Sequence, residues 1–301
     1  MDKIYDVIII GSGPAGMTAA IYARRFNLNV LVIEYNAPGG AMVNTSEIAN
    51  YPGFSAINGV DLSMNMYNQM MELDVSYQAV KVDKIIKNKE KDFTIYSQNQ
   101  EFYGKSVIIA TGTRNKILGL DSEKKFFYRG ISWCAICDGP LYKGKDVAVI
   151  GGGNSAIGAA LSLTNFVNKV YLIHRRNEFR SEKISIDKVK SNPKIELVLN
   201  SNVKEFLGKE TLEGITVEKD NSLVNLAVQA CFEEIGRIPN TEFIELIDKT
   251  NDGYIKVDED FMTNVEGIFA CGDVVDKKIR QIATAVNDGA IAGLAVSKYL
   301  N

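Results

Sequence analysis

Cys134 and Cys137 stand as a Cys-x-x-Cys pair in Trp133-Cys-Ala-Ile-Cys-Asp-Gly139, with Asp138 directly after the second thiol. Two thiols at this spacing can hold a metal, close a structural staple, or cycle between dithiol and disulfide. Zinc asks for four ligands, usually Cys or His. The chain has a single histidine, His174, which falls in another motif, and Cys231 and Cys271 stand alone in strand-like segments. Those two read as small buried hydrophobes, and no metal site is expected. A purely structural disulfide would close a very short loop and is out of place in a reducing compartment. The remaining reading is a redox pair, in which one thiol has a lowered pKa and the other resolves a mixed disulfide. Asp138 can move the proton that thiolate leaving groups need, or form the turn before Gly139-Pro140. Trp133, the only tryptophan, reads as a packing residue.

Two segments have the pattern of electron-carrier sites. DVIIIGSGPAG from Asp6 and DVAVIGGGNSAIG from Asp146 repeat one arrangement at a constant offset. Gly11 matches Gly151, Gly13 matches Gly153, and Gly16 is replaced by Ala156. Each follows an apolar strand, precedes a helical stretch and leads to a second strand, at 29–34 and 169–174. This is a duplicated β-turn-α-β unit. Its first Gly makes the tight turn, its second lets backbone approach a pyrophosphate, and its third small residue lets helix pack on strand. The helix N-terminus then offers N–H groups and partial positive charge to phosphates. Gly11, Ser12, Gly13, Pro14 and Ala15 are the expected first loop; Gly151, Gly153, Asn154 and Ser155 are the second.

The ends of the second strands separate the two sites. Glu34 supplies a carboxylate for ribose hydroxyls, as in FAD or NAD. The equivalent position is His174, followed by Arg175, Arg176 and Arg180, with no acid. A basic cluster there suits a 2′-phosphate and favours NADP over NAD, unless it is only a solvated basic face. The simplest pair of ligands is a tightly held FAD in the first unit and a visiting NADPH in the second.

The 301-residue chain has room for two domains. Its 46% hydrophobic and 24% charged residues are those of a soluble globular protein, and its net charge of −3 gives no pull toward nucleic acid or anionic membrane. Four cysteines are too few for a secreted disulfide framework. The N-terminal apolar run is broken by Asp6 and enters a Gly-rich turn, so it reads as a strand and not a signal peptide. No apolar run reaches the length of a membrane span. A cytoplasmic location follows as the expectation.

Residues 82–87, 92–97 and 105–113 read as strands divided by the polar turns NKEK and QNQE. The last ends at Ala110-Thr111-Gly112, a small-residue turn that lets backbone approach a ligand closely. The second unit is followed by a similar run, 195–200, 214–219 and 227–236, closed by the turn GRIPNT. Residues 265–276 run as a strand into Cys271-Gly272-Asp273, before a helix from Gln281. Asp273 there can hold a flavin ribityl hydroxyl or cap that helix. The expected architecture is α/β, with two Rossmann-like, three-layer ββα dinucleotide-binding domains. Residues 1–114 and 242–301 form the FAD domain, and 115–241 form an inserted NADPH domain carrying the Cys-x-x-Cys pair.

GSGPAG, PGG, NYPGF, ATGT, CAICDG, GGGNSA, HRRNEFR, IGRIPNT, ACGDV and RQIATA, in this order and spacing, resemble the low-molecular-weight thioredoxin reductases over nearly the whole chain. The resemblance implies a cytoplasmic homodimer that reduces thioredoxin with NADPH through FAD. It implies that Cys137 lies against the flavin, that Cys134 attacks the thioredoxin disulfide, and that Asp138 is the acid/base. It adds Gly39, Gly40, Asn50, Val82, Ala110, Thr111, Gly112, Gly272, Asp273, Arg280, Gln281 and Ile282 to the FAD contacts, and Ile235 and Gly236 to those of NADPH. It also implies rotation of the inserted domain about connections near 113–116 and 241–244.

Some positions depart from the family's pattern. Ala41 stands where many members carry Gln near the flavin, and Gly158-Ala159 where a pair of glutamates is common near the nicotinamide. Pro140-Leu141 replaces a Phe pair seen in some members at the thioredoxin contact, and Glu233 puts charge into a usually apolar strand. Two other readings compete. One keeps the fold with another partner: a ferredoxin-dependent thioredoxin reductase, a small-dithiol oxidase or a peroxidase-linked disulfide reductase. The other is a flavin-binding redox sensor without turnover. The basic cluster at 174–180 argues against a ferredoxin donor, which needs no phosphate site.

Overall fold

The computed structural model describes residues 3–45, 47–88, 93–98, 100–220 and 222–301. Parts of the expected polar turns NKEK and QNQE, and Asp92 of the strand read at 92–97, lie outside the described residues. The chain forms two compact units, Met1–Arg114 with Ile238–Asn301, and Asn115–Arg237. The chain returns to the first unit after Arg237, not after Thr241. Asn240 and Thr241 are bonded into that unit: the Asn240 amide N–H donates to the Gly112 carbonyl at 3.0 Å. The Asn240 side chain donates to the Thr111 carbonyl at 2.8 Å, and the Thr241 hydroxyl to that of Gly253 at 3.0 Å.

The first unit opens with β1 (Ile4–Ile10), α1 (Pro14–Arg25), β2 (Val30–Glu34), α2 (Gly59–Met71), β3 (Ser76–Ala79), β4 (Lys84–Lys87), β5 (Phe93–Ser97) and β6 (Gln100–Ile109). After β7 (Thr113–Asn115), the second unit holds β8 (Ile131–Ser132), α3 (Ala135–Asp138), β9 (Asp146–Ile150), α4 (Asn154–Leu163), β10 (Lys169–Ile173) and α5 (Lys183–Ser191). It continues with β11 (Ile195–Val198), β12 (Ser201–Leu207), β13 (Gly214–Lys219), β14 (Ser222–Leu226) and β15 (Ala230–Glu233). Then β16 (Arg237–Pro239) leads back to β17 (Ile268–Ala270) and α6 (Ile282–Leu300).

β1 is apolar along nearly its whole length because both its faces are covered, as in a parallel sheet. It pairs parallel to β2 and β6, and β3 pairs parallel to β2. Val7 and Ile9 pack toward α1, α2 and α6 with Met17, Leu62, Met66 and Val296. Ile8 and Ile10 pack the other way, with Ile85, Phe93, Ile95, Ile244 and Ile255. β6 is longer than the sequence suggests because its outer edge serves two partners. Gln100–Gly104 pairs antiparallel with β5, and Val107–Ile109 pairs parallel with β17. α1 and α6 meet at backbone distance: a Cβ on Gly289 would lie 2.2 Å from the Ala15 carbonyl oxygen, and one on Gly293 2.8 Å from that of Ala19.

The second unit repeats the plan. β11, β10, β9, β15 and β8 form a parallel sheet in that order. Val147 and Val149 face α4 and α5 with Ile157, Leu163 and Val189. Ala148 and Ile150 face the antiparallel β12-β13-β14 sheet with Val203, Phe206 and Ile215. The second unit is thus a helix layer, a parallel sheet and an antiparallel layer, whereas in the first the antiparallel β5 and β4 continue the same sheet beyond β6.

Candidate functional site

In the second unit, β8 ends directly before Trp133 and Cys134, and α3 is the single turn that brings Cys137 back. Cys134 and Cys137 form a disulfide with Cα atoms 5.3 Å apart. The Cys137 amide donates to the Cys134 sulfur at 3.3 Å, a contact that favours thiolate on Cys134 once the bond is opened. Ser132, which the sequence reading passed over, ties the acid to the thiol. Its hydroxyl donates to Asp138 Oδ2 at 2.6 Å and accepts the Cys134 amide at 3.1 Å. Burial holds the Asp138 carboxyl above its ordinary range, and the Ser132 bond draws it part of the way back. Tyr128 and Tyr142 are raised by burial and then by the charge of Asp138, which places both beside it.

In the first unit, the glycine loop gathers five segments. The Gly11 amide bonds to Ile33 at 2.8 Å, and a Cβ on Gly11 would lie 2.4 Å from the Ala110 carbonyl oxygen. Gly39 donates to the Ser12 carbonyl at 2.8 Å, and a Cβ on Gly40 would lie 3.3 Å from the Gly13 Cα. Glu34 accepts from the Ser12 amide at 2.8 Å and the Ser12 hydroxyl at 3.2 Å. A Cβ on Gly272 would sit 2.8 Å from that of Ala15. Gly13 caps α1 with extended backbone and no capping side chain, and Pro14 takes the first helical position. The arrangement offers unblocked amides at a helix start beside a carboxylate, which fits a dinucleotide pyrophosphate and its ribose.

The remaining residues expected around that loop have distinct places. Thr111 exchanges hydrogen bonds with Asn240, and Gly112 turns with φ +62°. The Asn50 amide reaches Gln281 Oε1 at 3.2 Å, while Gln281 also opens α6 in a capping box with Thr284. Arg280 directs its guanidinium at the carbonyls of Asp273, Val275 and Lys277 and lies 4.2 Å from the centre of the Tyr254 ring. It therefore shapes the loop after β17. Ile282 and Val82 pack into the two apolar clusters on opposite faces of the sheet. Buried Asp288, missed in the sequence, accepts the Gly272 amide at 3.2 Å and pairs with Lys277 at 2.6 Å.

In the second unit's glycine loop, Gly153 caps α4 with extended backbone and no side-chain cap, and a Cβ there would meet nothing within 4 Å. Asn154 and Ser155 are exposed in the first helical turn. His174 turns inward, unlike its basic neighbours. Its ring fills the space a Gly152 side chain would take, with a Cβ falling 2.1 Å from it, and stacks on Phe179 at 5.4 Å. Its Nε2 lies 3.1 Å from the Glu178 carbonyl, so that nitrogen carries the proton. Burial, then the surrounding arginines, lowers its pKa. Arg175, Arg176 and Arg180 are exposed, and the Arg180 amide donates to the Gly152 carbonyl at 2.7 Å, which pins the basic loop to the glycine loop.

The internal repeat extends further than the sequence reading took it. A Cβ on Gly151 would lie 2.4 Å from the Glu234 carbonyl oxygen, as one on Gly11 does from that of Ala110. Glu234-Ile235-Gly236 therefore stands where Ala110-Thr111-Gly112 stands in the first unit, and both glycines have positive φ. Burial pushes the Glu234 carboxyl up to about 7 against the pull of Arg237.

A parallel sheet under a glycine loop in each unit, with a disulfide in one of them, defines a class. The chain belongs to the pyridine nucleotide-disulphide oxidoreductases, which it matches over residues 5–289. Among them it is similar to thioredoxin reductases. It is 43% identical to that of Ureaplasma parvum serovar 3, over 99% of this chain and 97% of the relative. It is 40% identical to that of Bacillus subtilis, over 99% and 96%. The crystal structure of thioredoxin reductase from Streptococcus pyogenes MGAS5005 matches with a TM-score of 0.92 at 41% identity, covering 100% of this chain and 99% of that one.

Proposed function

We propose that the chain is an NADPH-dependent thioredoxin-disulfide reductase, passing electrons through FAD and the Cys134–Cys137 disulfide to oxidised thioredoxin. The observation that carries this reading is the disulfide whose neighbouring acid, Asp138, shares the Ser132 hydroxyl with the Cys134 amide. When bound, FAD supplies the two-electron link between a nicotinamide and a disulfide. The first unit with Gly11, Ser12, Gly13, Pro14, Ala15, Gly39 and Gly40 holds its pyrophosphate, and Glu34 accepts its ribose hydroxyls. In the second unit the Gly151–Ser155 backbone holds the NADPH pyrophosphate, and Arg175, Arg176 and Arg180 hold its 2′-phosphate. His174 positions that basic loop.

Two electrons and two protons open the Cys134–Cys137 bond to a pair of thiols. Cys134 passes its proton to the Asp138 carboxylate and, as thiolate, attacks one sulfur of the thioredoxin disulfide, and the displaced sulfur takes that proton from Asp138. Cys137 then gives its proton to the Asp138 carboxylate and attacks the Cys134 sulfur. That step re-forms the internal disulfide, and the second thioredoxin sulfur leaves with the proton that Asp138 has just received. A carboxyl raised by burial suits this exchange, because it is poised to hold a proton as well as to release one.

A cytoplasmic homodimer belongs to the same reading. A redox pair of this kind works in a reducing compartment, and among the described residues no helix is long and apolar enough to cross a membrane. The net charge of −3 supports the absence of nucleic-acid or anionic-membrane partners. Anaerobic titration of the flavin-loaded protein with NADPH, then NADH, followed by oxidised thioredoxin, tests the function. NADPH should bleach the flavin band at far lower concentration than NADH, and thioredoxin should restore it. A reduced flavin that thioredoxin leaves reduced would overturn the substrate assignment.

A further inference from the structure

A buried pair of acids lies behind the redox disulfide. β15 alternates its side chains, so Phe232 packs with the helices of its unit and Cys231 with the antiparallel sheet. Glu233 follows on the side of β15 from which Glu123 and Trp133 approach, and is only 2% exposed. Its Oε2 accepts the indole N–H of Trp133 at 3.1 Å. Its Oε1 is buried and finds no donor among the described residues, and the Glu123 carboxyl lies beside the Glu233 carboxyl. Glu123 is fully buried and receives three backbone donors: Leu118 at 2.7 Å, Gly119 at 2.6 Å and Leu120 at 3.0 Å. Three N–H groups converging on one carboxyl suit an acceptor, so the pair's proton sits on Glu233 and is donated to Glu123. That proton also resolves the otherwise unpartnered Oε1.

We propose that Glu233 is a positioning residue for the redox disulfide: its protonated carboxyl bridges Glu123 to the indole of Trp133 and so holds the segment that presents Cys134. The proposal rests on Cys134 being the redox thiol of the function proposed above. Trp133 precedes Cys134 directly and is braced from its other sides by the rings of Phe127 and Tyr128, 5.0 and 5.7 Å between centres. The bridge accounts for a charged residue type inside a buried strand. Burial, and then the charge of Glu123, pushes the Glu233 carboxyl up to about 9. The groups facing it are Glu123 from the 118–126 segment, Trp133 from the end of β8, and on its own strand Cys231, a thiol raised well above its usual value.

Because Trp133 is the only tryptophan, the emission of the flavin-loaded enzyme reports the surroundings of this side chain, and the other titratable group against it, Tyr128, is raised above its ordinary value of 10.0. Titration from about pH 7 to about pH 10 should show an emission transition near the Glu233 value, with thioredoxin reduction declining in the same range. Glu233→Gln keeps a neutral donor and acceptor. It should retain thioredoxin turnover at neutral pH, lose the emission transition and extend activity to higher pH. Glu233→Leu removes the bridge and should lower turnover with thioredoxin about tenfold, with flavin reduction by NADPH unchanged. An emission transition that persists in Glu233→Gln, or a Leu variant that turns over like the parent, would overturn the proposal. The emission arm needs no substrate. A protein that leaves thioredoxin untouched, yet shows a transition abolished in Glu233→Gln, keeps the bridge and loses only the substrate assignment.

Discussion

Ser132 divides one hydroxyl between the Asp138 carboxyl and the amide of Cys134, so the acid and the thiol cannot shift independently. Asp138→Asn removes the proton carrier and should lower thioredoxin turnover by about 10²-fold or more, with flavin reduction by NADPH retained in rapid-mixing traces. Ser132→Ala acts in a more graded way. The bond it removes favours the carboxylate, so the Asp138 pKa rises further and the acid limb of the pH–rate profile moves to higher pH. A limb that stays in place would mean that Asp138 is not the group titrating there. Across the same unit, replacing both Arg175 and Arg176 with Ala should cost NADPH about 10- to 100-fold in kcat/KM and leave NADH nearly unchanged. A surviving preference for NADPH would place the 2′-phosphate elsewhere.

The two strand-turn-helix elements share a plan but not a tolerance. A Cβ on Gly16 would lie 1.9 Å from the Gly11 carbonyl oxygen. The equivalent Ala156 is fully buried in its own helix and fits there. Gly16→Ala must therefore move α1 away from β1 and the loop it caps, and should give protein with a reduced flavin-to-protein ratio and a lowered Tm. Ala156→Gly should cost the helix penalty of about 1 kcal/mol together with about 0.8 kcal/mol for the buried methyl it removes, and leave the loop in place. Absorbance of the purified variants, together with thermal unfolding, checks both. The elements flanking the glycine loops were readable because apolar strands, positive-φ glycines and helix starts constrain each other within a few residues. α2, α5 and the outer strands β12 and β14 went unread. Short edge strands and a helix starting at an Asn58 cap have no comparably strong local pattern.

At the scale of the whole molecule, the buried acids govern how stability depends on pH. Glu233 and Glu234 have pKa values raised from 4.5 to about 9 and about 7. Between the ordinary carboxyl value and those raised values the folded chain holds a proton that the unfolded chain has released. Stability therefore falls with rising pH, from about 4.5 to about 7 for Glu234 and on to about 9 for Glu233, with a slope near 1.4 kcal/mol per pH unit for each fully titrating group. The flavin-loaded protein should melt at a lower temperature at about pH 8.5 than at about pH 5.5. Glu233→Gln should narrow the difference. A Tm that rises over this range would contradict a protonated Glu233.

The sequence by itself determined the class of protein. The Cys-x-x-Cys pair, the two glycine loops, and the acid after one strand set against the basic run after the other are written in short, contiguous stretches, because each is the geometry of a single turn. Sequence also marked Glu233 as out of place without explaining it. Only the tertiary structure decided what surrounds these stretches. It turned His174 into the space beside Gly152, set Glu234 opposite Gly151 as Ala110 is set opposite Gly11, and brought Glu123, Trp133 and Glu233 together. Those groupings join strands and loops that are adjacent only after the sheet has formed. Their energies come from burial and from paired donors and acceptors, quantities that do not exist until distant segments share a core.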